Sequence, residues 1–363
     1  METPATYVIC TSPRSGSTLL CGLLAGWLPV GGPGVVLDGD ASLRRRPMGR
    51  VVEPLRAMGA DIEHLDAAGR LPLRVRGAAL RGCRHDLPVP SAQLKSALLL
   101  AGLHAAGETV VAGGGASRDH TERLLAAMGQ APRRGVGDAL AVGPVGRLRA
   151  YAIAVPGDPS TAAFFQVAAA LVPGSRLTVP GQSLGFGRTG ALDVLRAAGA
   201  EVTITGATAA GDAAREPAGD VTVAAGGLRA FRIGADDVPG LVDELPVLAV
   251  LATQCVGTTI ISGAEELRVK ESDRIALMGR ALRALGADVV ERPDGMIITG
   301  PTPLAGGPAG APVVHETGGD HRIAMAMAIA ALVAERDSTL DDDDCVAVSF
   351  PQFFPTLDGL LER

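Results

Sequence analysis

One phrase returns four times along the chain: LRAMGADIE at 55–63, LLAAMGQAP at 124–132, LRAAGAEVTI at 195–204 and LRALGADVVE at 282–291. Each copy reads as the end of an Ala/Leu-rich amphipathic helix, a glycine suited to the left-handed position after it, and the entry to a strand. The four glycines, Gly59, Gly129, Gly199 and Gly286, are spaced by 70, 70 and 87 residues. The last stretch, FPQFFPTLDGLLER (350–363), has the form of a fifth copy that stops before its glycine. A period this long exceeds that of the common solenoids and implies repeated α/β modules packed around a core.

Working outward, 363 residues exceed the size at which one hydrophobic core usually stops growing, so two domains are expected. Pro156-Gly157-Asp158-Pro159 follows the strand-like run 150–155 and marks the boundary; the Gly-rich stretches 206–220 and 305–312 read as surface loops. Hydrophobic residues at 47% and charged residues at 20% exclude a disordered chain. With aromatics at 3%, Ala, Leu and Val must build the core. The longest apolar run, Ile323 to Ala334, is too short to cross a bilayer, and METPATYVIC has no basic signal-peptide start. Both point to a cytoplasmic protein without membrane partners. The cysteines (Cys10, Cys21, Cys83, Cys255, Cys345) form no C-x-x-C pair, which argues for reduced thiols and against structural zinc. A net charge of −6 gives no general attraction to nucleic acid, so anionic ligands must meet local basic clusters.

Three such clusters stand out. GDASLRRRPMGR (39–50) sets three arginines, ending at Arg46, before a helix; arginine forks bind phosphate and carboxylate, but a solvated basic face is equally compatible with charge alone. PSAQLKSALLLAGL (90–103) places Ser91 and Gln93 at the start of an apolar helix, and Ser117-Arg118-Asp119-His120 precedes the next one. Helix starts attract anions through free N–H groups, although plain capping needs no ligand. In the second half, Asp243-Glu244, ELRVKESDR with Lys270, Glu271, Asp273 and Arg274, and GGDHR ending at Arg322 combine carboxylates, a lysine and arginines. Glu271 and Arg274 share a helical face, so a salt bridge worth about 0–1 kcal/mol is the plain alternative to an anion clamp.

Nine stretches in order then carry a family resemblance: GDASLRRRPMGR, LPLRVRG, VPSAQLKSALLLAGL, SRDHTERLL, VPGDPSTAAFF, VDELPVLAV, EELRVKESDR, GDHRIAMAMA and SFPQFF. The sequence resembles the 5-enolpyruvylshikimate-3-phosphate synthases. The resemblance implies a two-domain fold, an inside-out α/β barrel of repeated α/β units, with the site in the cleft between the domains. It implies enolpyruvyl transfer from phosphoenolpyruvate to shikimate 3-phosphate by a monomer, with no metal and no organic cofactor. Residue by residue, Arg46, Arg274 and Arg322 are expected on phosphoenolpyruvate, and Ser91, Gln93 and Arg118 on shikimate 3-phosphate. Asp243 is expected to take the proton of the 5-hydroxyl, with Lys270 and Glu271 handling the methylene proton. Arg274 is expected to be an exposed clamp whose loss weakens binding more than folding.

The front departs from the family. The Gly-Asp-Lys-Ser…Arg stretch of its first module has no match here, five helix–Gly–strand units stand where the family has six, and Val348 replaces a lysine of some members. The expected domains are therefore 1–35, a divergent segment; 36–150, the first transferase domain with two of three units; and 151–363, the second. Residues 7–26, YVICTSPRSGSTLLCGLLAG, resemble a sulfotransferase strand and phosphate loop, with Arg14, Ser15, Gly16, Ser17 and Thr18 as the cradle. A shortened form of the synthase's own Asn-(Ser/Ala)-Gly-Thr-Thr helix start is the rival. A catalytically impaired relative, or the neighbouring UDP-N-acetylglucosamine enolpyruvyl transferase, are the alternative functions.

Overall fold

The computed structural model describes residues 26–30, 32, 34–39, 41–66, 69–115, 117–208, 215–305 and 312–361. The phosphate-loop reading of residues 7–25 therefore lies outside the described residues. The chain divides into two compact units between Ala152 and Ile153.

The first unit opens with β1 (Val35–Leu37), α1 (Ala41–Arg45), α2 (Gly49–Ala57), β2 (Asp61–His64) and β3 (Leu73–Arg76), whose strands form an antiparallel sheet in the order β1-β3-β2. It continues with β4 (Arg84–Asp86), α3 (Ala92–Gly102), β5 (Thr109–Ala112), α4 (His120–Ala127), β6 (Arg133–Arg134) and β7 (Leu140–Val142). Here the sheet order is β4-β5-β7-β6, with β4 and β5 parallel and the other pairs antiparallel.

The second unit begins with α5 (Pro159–Leu171), β8 (Arg176–Ser183), α6 (Gly190–Ala197), β9 (Glu201–Thr205) and β10 (Ala218–Ala224), in the antiparallel order β8-β10-β9. The loop expected at 206–220 thus gives way to a strand at Ala218. Next come β11 (Arg232–Ile233), α7 (Val238–Leu241), α8 (Leu245–Thr253), β12 (Gly257–Ile261), a 3₁₀ turn (Glu265–Val269), α9 (Arg274–Ala284), β13 (Asp288–Arg292) and β14 (Gly295–Gly300). Their order β11-β12-β14-β13, with β11 parallel to β12, repeats the topology of β4-β5-β7-β6. The parallel pair β15 (Val313–His315) and β16 (Ser338–Leu340) flanks α10 (His321–Ala331), and a second 3₁₀ turn (Asp344–Val348) leads to α11 (Phe353–Leu361).

The repeated phrase has one physical basis. Gly59, Gly129, Gly199 and Gly286 all take positive φ, between 82° and 96°. Each donates back to the third residue before it, and the following residue donates to the carbonyl five positions before itself: Ala60 to Leu55, Gln130 to Leu125, Ala200 to Leu195 and Ala287 to Leu282. These bonds satisfy the carbonyls that a helix end leaves orphaned. At Gly199 a side chain is excluded on a second count, because a Cβ there would lie 2.3 Å from the Gly227 carbonyl oxygen.

Three helices form the centre of the second unit. All nine residues of α8 are buried, as are most of α5 and α10. A helix apolar all round has no face to give to water, so such helices pack together inside the sheets. Five of the seven phenylalanines, Phe164, Phe165, Phe350, Phe353 and Phe354, close this core with ring centroids 5.2–6.3 Å apart. The SFPQFF stretch therefore serves as the apolar lock of α11 onto α5. Among the described residues no helix is long and apolar enough to cross a membrane.

Candidate functional site

In the second unit the starts of α8, α9 and α10 carry the polar residues that the sequence singles out. Asp320 caps α10, accepting from the Arg322 amide at 3.0 Å, and is fully buried. The Arg274 guanidinium, 1% exposed at the start of α9, lies against it: Nε donates to Asp320 Oδ2 at 2.8 Å. Nη2 donates to Asp320 Oδ1 at 3.3 Å and to Glu271 Oε2 at 2.6 Å. Ser272 adds a hydroxyl to Asp320 at 3.0 Å. Asp320 is thus both helix cap and arginine holder. Burial would raise its pKa, but the charge and hydrogen bonds of Arg274 outweigh burial and hold it below the usual carboxylate range.

Asp243, just before α8, receives two arginines. Its Oδ1 lies 3.6 Å from Arg274 Nη1 and 3.5 Å from Arg322 Nε, while Arg322 Nη1 donates to its backbone carbonyl at 2.8 Å. Arg274 Nη1 and Arg322 Nε are both buried without a hydrogen-bond partner. Buried N–H groups of this kind are rare in folded proteins. Two of them facing one carboxylate oxygen, beyond hydrogen-bond distance, leave directed donors for a small anion. The N-termini of α8, α9 and α10, which carry these groups, favour negative charge there.

The expectation for Arg274 is corrected here. It is a buried hub of three carboxylates rather than an exposed clamp, because Asp320, 46 residues away in sequence, reaches it from α10. The Lys270–Glu271 pair is also divided. Lys270 Nζ donates to Glu266 Oε1 at 2.6 Å, whereas Glu271 serves Arg274. Glu244, next to Asp243, is 3% exposed. Burial, and then the neighbouring Asp243 charge, push its carboxyl above the usual range, partly offset by Arg322, by a hydrogen bond with Ser160 and by Arg188. Arg188 itself donates to Ser160 Oγ at 3.2 Å and pairs with Asp158, the cap of α5.

The first unit holds the remaining candidates. Arg46 is half-buried after α1; its neighbour Arg44 is paired with Asp38, with Nε to Oδ1 at 2.8 Å. Ser91 caps α3, its Oγ accepting from the Leu94 amide at 3.3 Å, and Gln93 follows in the first turn. Arg118 is half-buried in the loop before α4. One residue escaped the sequence reading. Lys95, in the apolar run of α3, is 2% exposed, and its ammonium donates to the Gly114, Ser117 and Arg118 carbonyls and pairs with Glu122. A lysine inside a run of Leu and Ala, four residues after a helix cap, was the signal available.

The fold matches that of an enolpyruvyl transferase from Streptomyces tendae (NikO) with a TM-score of 0.68, covering 88% of this chain and 72% of that one at 19% identity. The protein therefore has the enolpyruvyl transferase fold. An EPSP synthase from Acinetobacter baumannii matches at a TM-score of 0.80 with 37% identity, over 95% of this chain and 77% of the other. The 3-phosphoshikimate 1-carboxyvinyltransferase of Anaeromyxobacter sp. (strain Fw109-5) is 50% identical over the full length of this chain and 81% of its own. That of Parasynechococcus marenigrum (strain WH8102) is 47% identical over 99% and 79%. The family model described as EPSP synthase (3-phosphoshikimate 1-carboxyvinyltransferase) matches residues 5–357. The chain belongs to the EPSP synthase family.

Proposed function

We propose that this protein transfers the enolpyruvyl group of phosphoenolpyruvate to the 5-hydroxyl of shikimate 3-phosphate, releasing phosphate, in the shikimate pathway of the cytoplasm. The observation that carries this reading is the pair of buried, unfilled guanidinium donors, Arg274 Nη1 and Arg322 Nε, facing Asp243. They suit the phosphate or carboxylate oxygens of phosphoenolpyruvate, and Arg46 supplies a further charge. Fixed donors of this kind stabilise developing negative charge without reorganising. Ser91, Gln93 and Arg118 hold shikimate 3-phosphate.

The chemistry runs in two steps. A proton adds to the methylene carbon of phosphoenolpyruvate, and the 5-hydroxyl oxygen attacks the adjoining cationic carbon while Asp243 accepts the hydroxyl proton. The same methyl carbon then loses a proton as phosphate leaves, restoring the double bond. Lys270 and Glu271 serve the methylene proton, and positioned groups of this type contribute about 10²–10⁴ in rate. For Lys270 this role requires release from Glu266 when substrate binds. A monomer suffices for this assignment.

The test is a coupled assay of phosphate release from the two substrates. Release that depends on both supports the proposal; none with shikimate 3-phosphate, but release with UDP-N-acetylglucosamine, would refute it.

A further inference from the structure

The loop that carries Arg118 is held from two sides by opposite charges. On one side, Asp138 accepts from the Gly113 amide at 3.0 Å (Oδ1) and the Gly115 amide at 2.8 Å (Oδ2). On the other, the Lys95 ammonium gathers the carbonyls of Gly114 at 3.4 Å, Ser117 at 3.3 Å and Arg118 at 2.9 Å. Glu122 Oε1, 2.6 Å from the same nitrogen, balances its charge, and Ser117 Oγ donates to Gly114 at 2.6 Å within the loop. Three carbonyls around one ammonium form a cage that leaves this lysine no donor for a substrate. Its burial also removes it from any ligand surface.

Lys95 stands one turn after Ser91 on α3, its amide donating to the Ser91 carbonyl at 3.0 Å. A single side chain therefore ties the start of α3, with Ser91 and Gln93, to the loop that ends in Arg118. All of these contacts lie within the first unit. Keeping a lysine in an apolar helix costs desolvation, which only its partners offset. An apolar residue at this position would fill the same space without that cost, so the lysine is explained by what it holds in place.

We infer that Lys95 is a positioning residue for shikimate 3-phosphate: its ammonium sets the distance between Arg118 and the Ser91–Gln93 helix start, so that both contact the same ligand. The inference rests on the functional reading above. It predicts that Lys95 acts through Arg118, a coupling that general stability would not produce.

The experiment is calorimetric titration of the full chain with shikimate 3-phosphate, alongside steady-state kinetics, for Lys95→Met, Arg118→Ala and the double variant. Each single substitution is expected to raise the dissociation constant about tenfold, the scale of one charge-assisted hydrogen bond. The double variant should bind no more than about twofold more weakly than either single one. KM for shikimate 3-phosphate should rise with it, while KM for phosphoenolpyruvate stays unchanged. If Lys95→Met fails to fold, Asp138→Ala decides, because it releases the loop from its exposed side and should give the same split. Wild-type affinity in the folded variants, or fully additive losses in the double variant, would overturn the positioning role alone. A wild-type chain that does not bind shikimate 3-phosphate would overturn this role together with the function on which it rests.

Discussion

Replacing Arg274 by methionine separates the structural account of this residue from the one that spacing alone suggests. As an i,i+3 surface pair with Glu271, the arginine would contribute about 0–1 kcal/mol. In the structure it is 1% exposed and holds Asp320, which is fully buried, together with Glu271 and Asp243. Methionine keeps the apolar stem but leaves these carboxylates without their counter-charge. Breaking a buried pair from one side costs about 3–5 kcal/mol. For a unit of this size that corresponds to a fall in melting temperature of roughly 6–20 °C.

The pH dependence supplies a second, signed readout. In the wild type Asp320 is held below its unfolded value, so its contribution is present above about pH 4 and is lost as pH falls through the folded pKa. Without Arg274 burial dominates and raises that pKa. The variant should then lose stability as pH rises above about 4, the reverse slope. Thermal melts followed by far-ultraviolet circular dichroism between pH 4 and 8 measure both quantities. A melting temperature within about 2 °C of wild type, which is under about 1 kcal/mol for a unit of this size, would refute the hub.

Three further outcomes are expected. Glu244→Gln should flatten part of the stability profile, because a carboxyl raised by burial and by Asp243 makes the wild type lose stability as pH rises from about 4.3 through the folded value; an unchanged profile in urea melts would contradict this. His315 is 2% exposed with neither ring nitrogen hydrogen-bonded, and burial lowers its pKa. The wild type should therefore lose stability as pH falls from about 6.5 through the folded pKa, and His315→Leu should abolish that loss. Asp243→Asn should lower kcat by about 10²–10⁴ with little change in KM for shikimate 3-phosphate, as measured by phosphate release; full activity would remove Asp243 from the base role.

What the residues determine by themselves is the local grammar of the fold. A glycine after an Ala/Leu-rich helix takes positive φ and closes the helix through bonds to residues three to five positions back, so the Gly59, Gly129, Gly199 and Gly286 copies are legible without tertiary context. The polar helix starts at Ser91, Asp273 and Asp320 are legible for the same reason, since capping acts over a few residues. Spacing also shows that Glu271 and Arg274 are neighbours, but not whether their face meets water. That was decided by Asp320, which arrives from a helix start 46 residues further on, and by the close packing of α5, α8 and α10. Lys95 follows the same rule: its place in α3 is local, but the carbonyls that enclose it lie 19–23 residues away. Hydrogen bonds along a helix are set by the backbone of adjacent residues, whereas burial of a charge depends on which distant segments surround it, and only the folded chain brings those together.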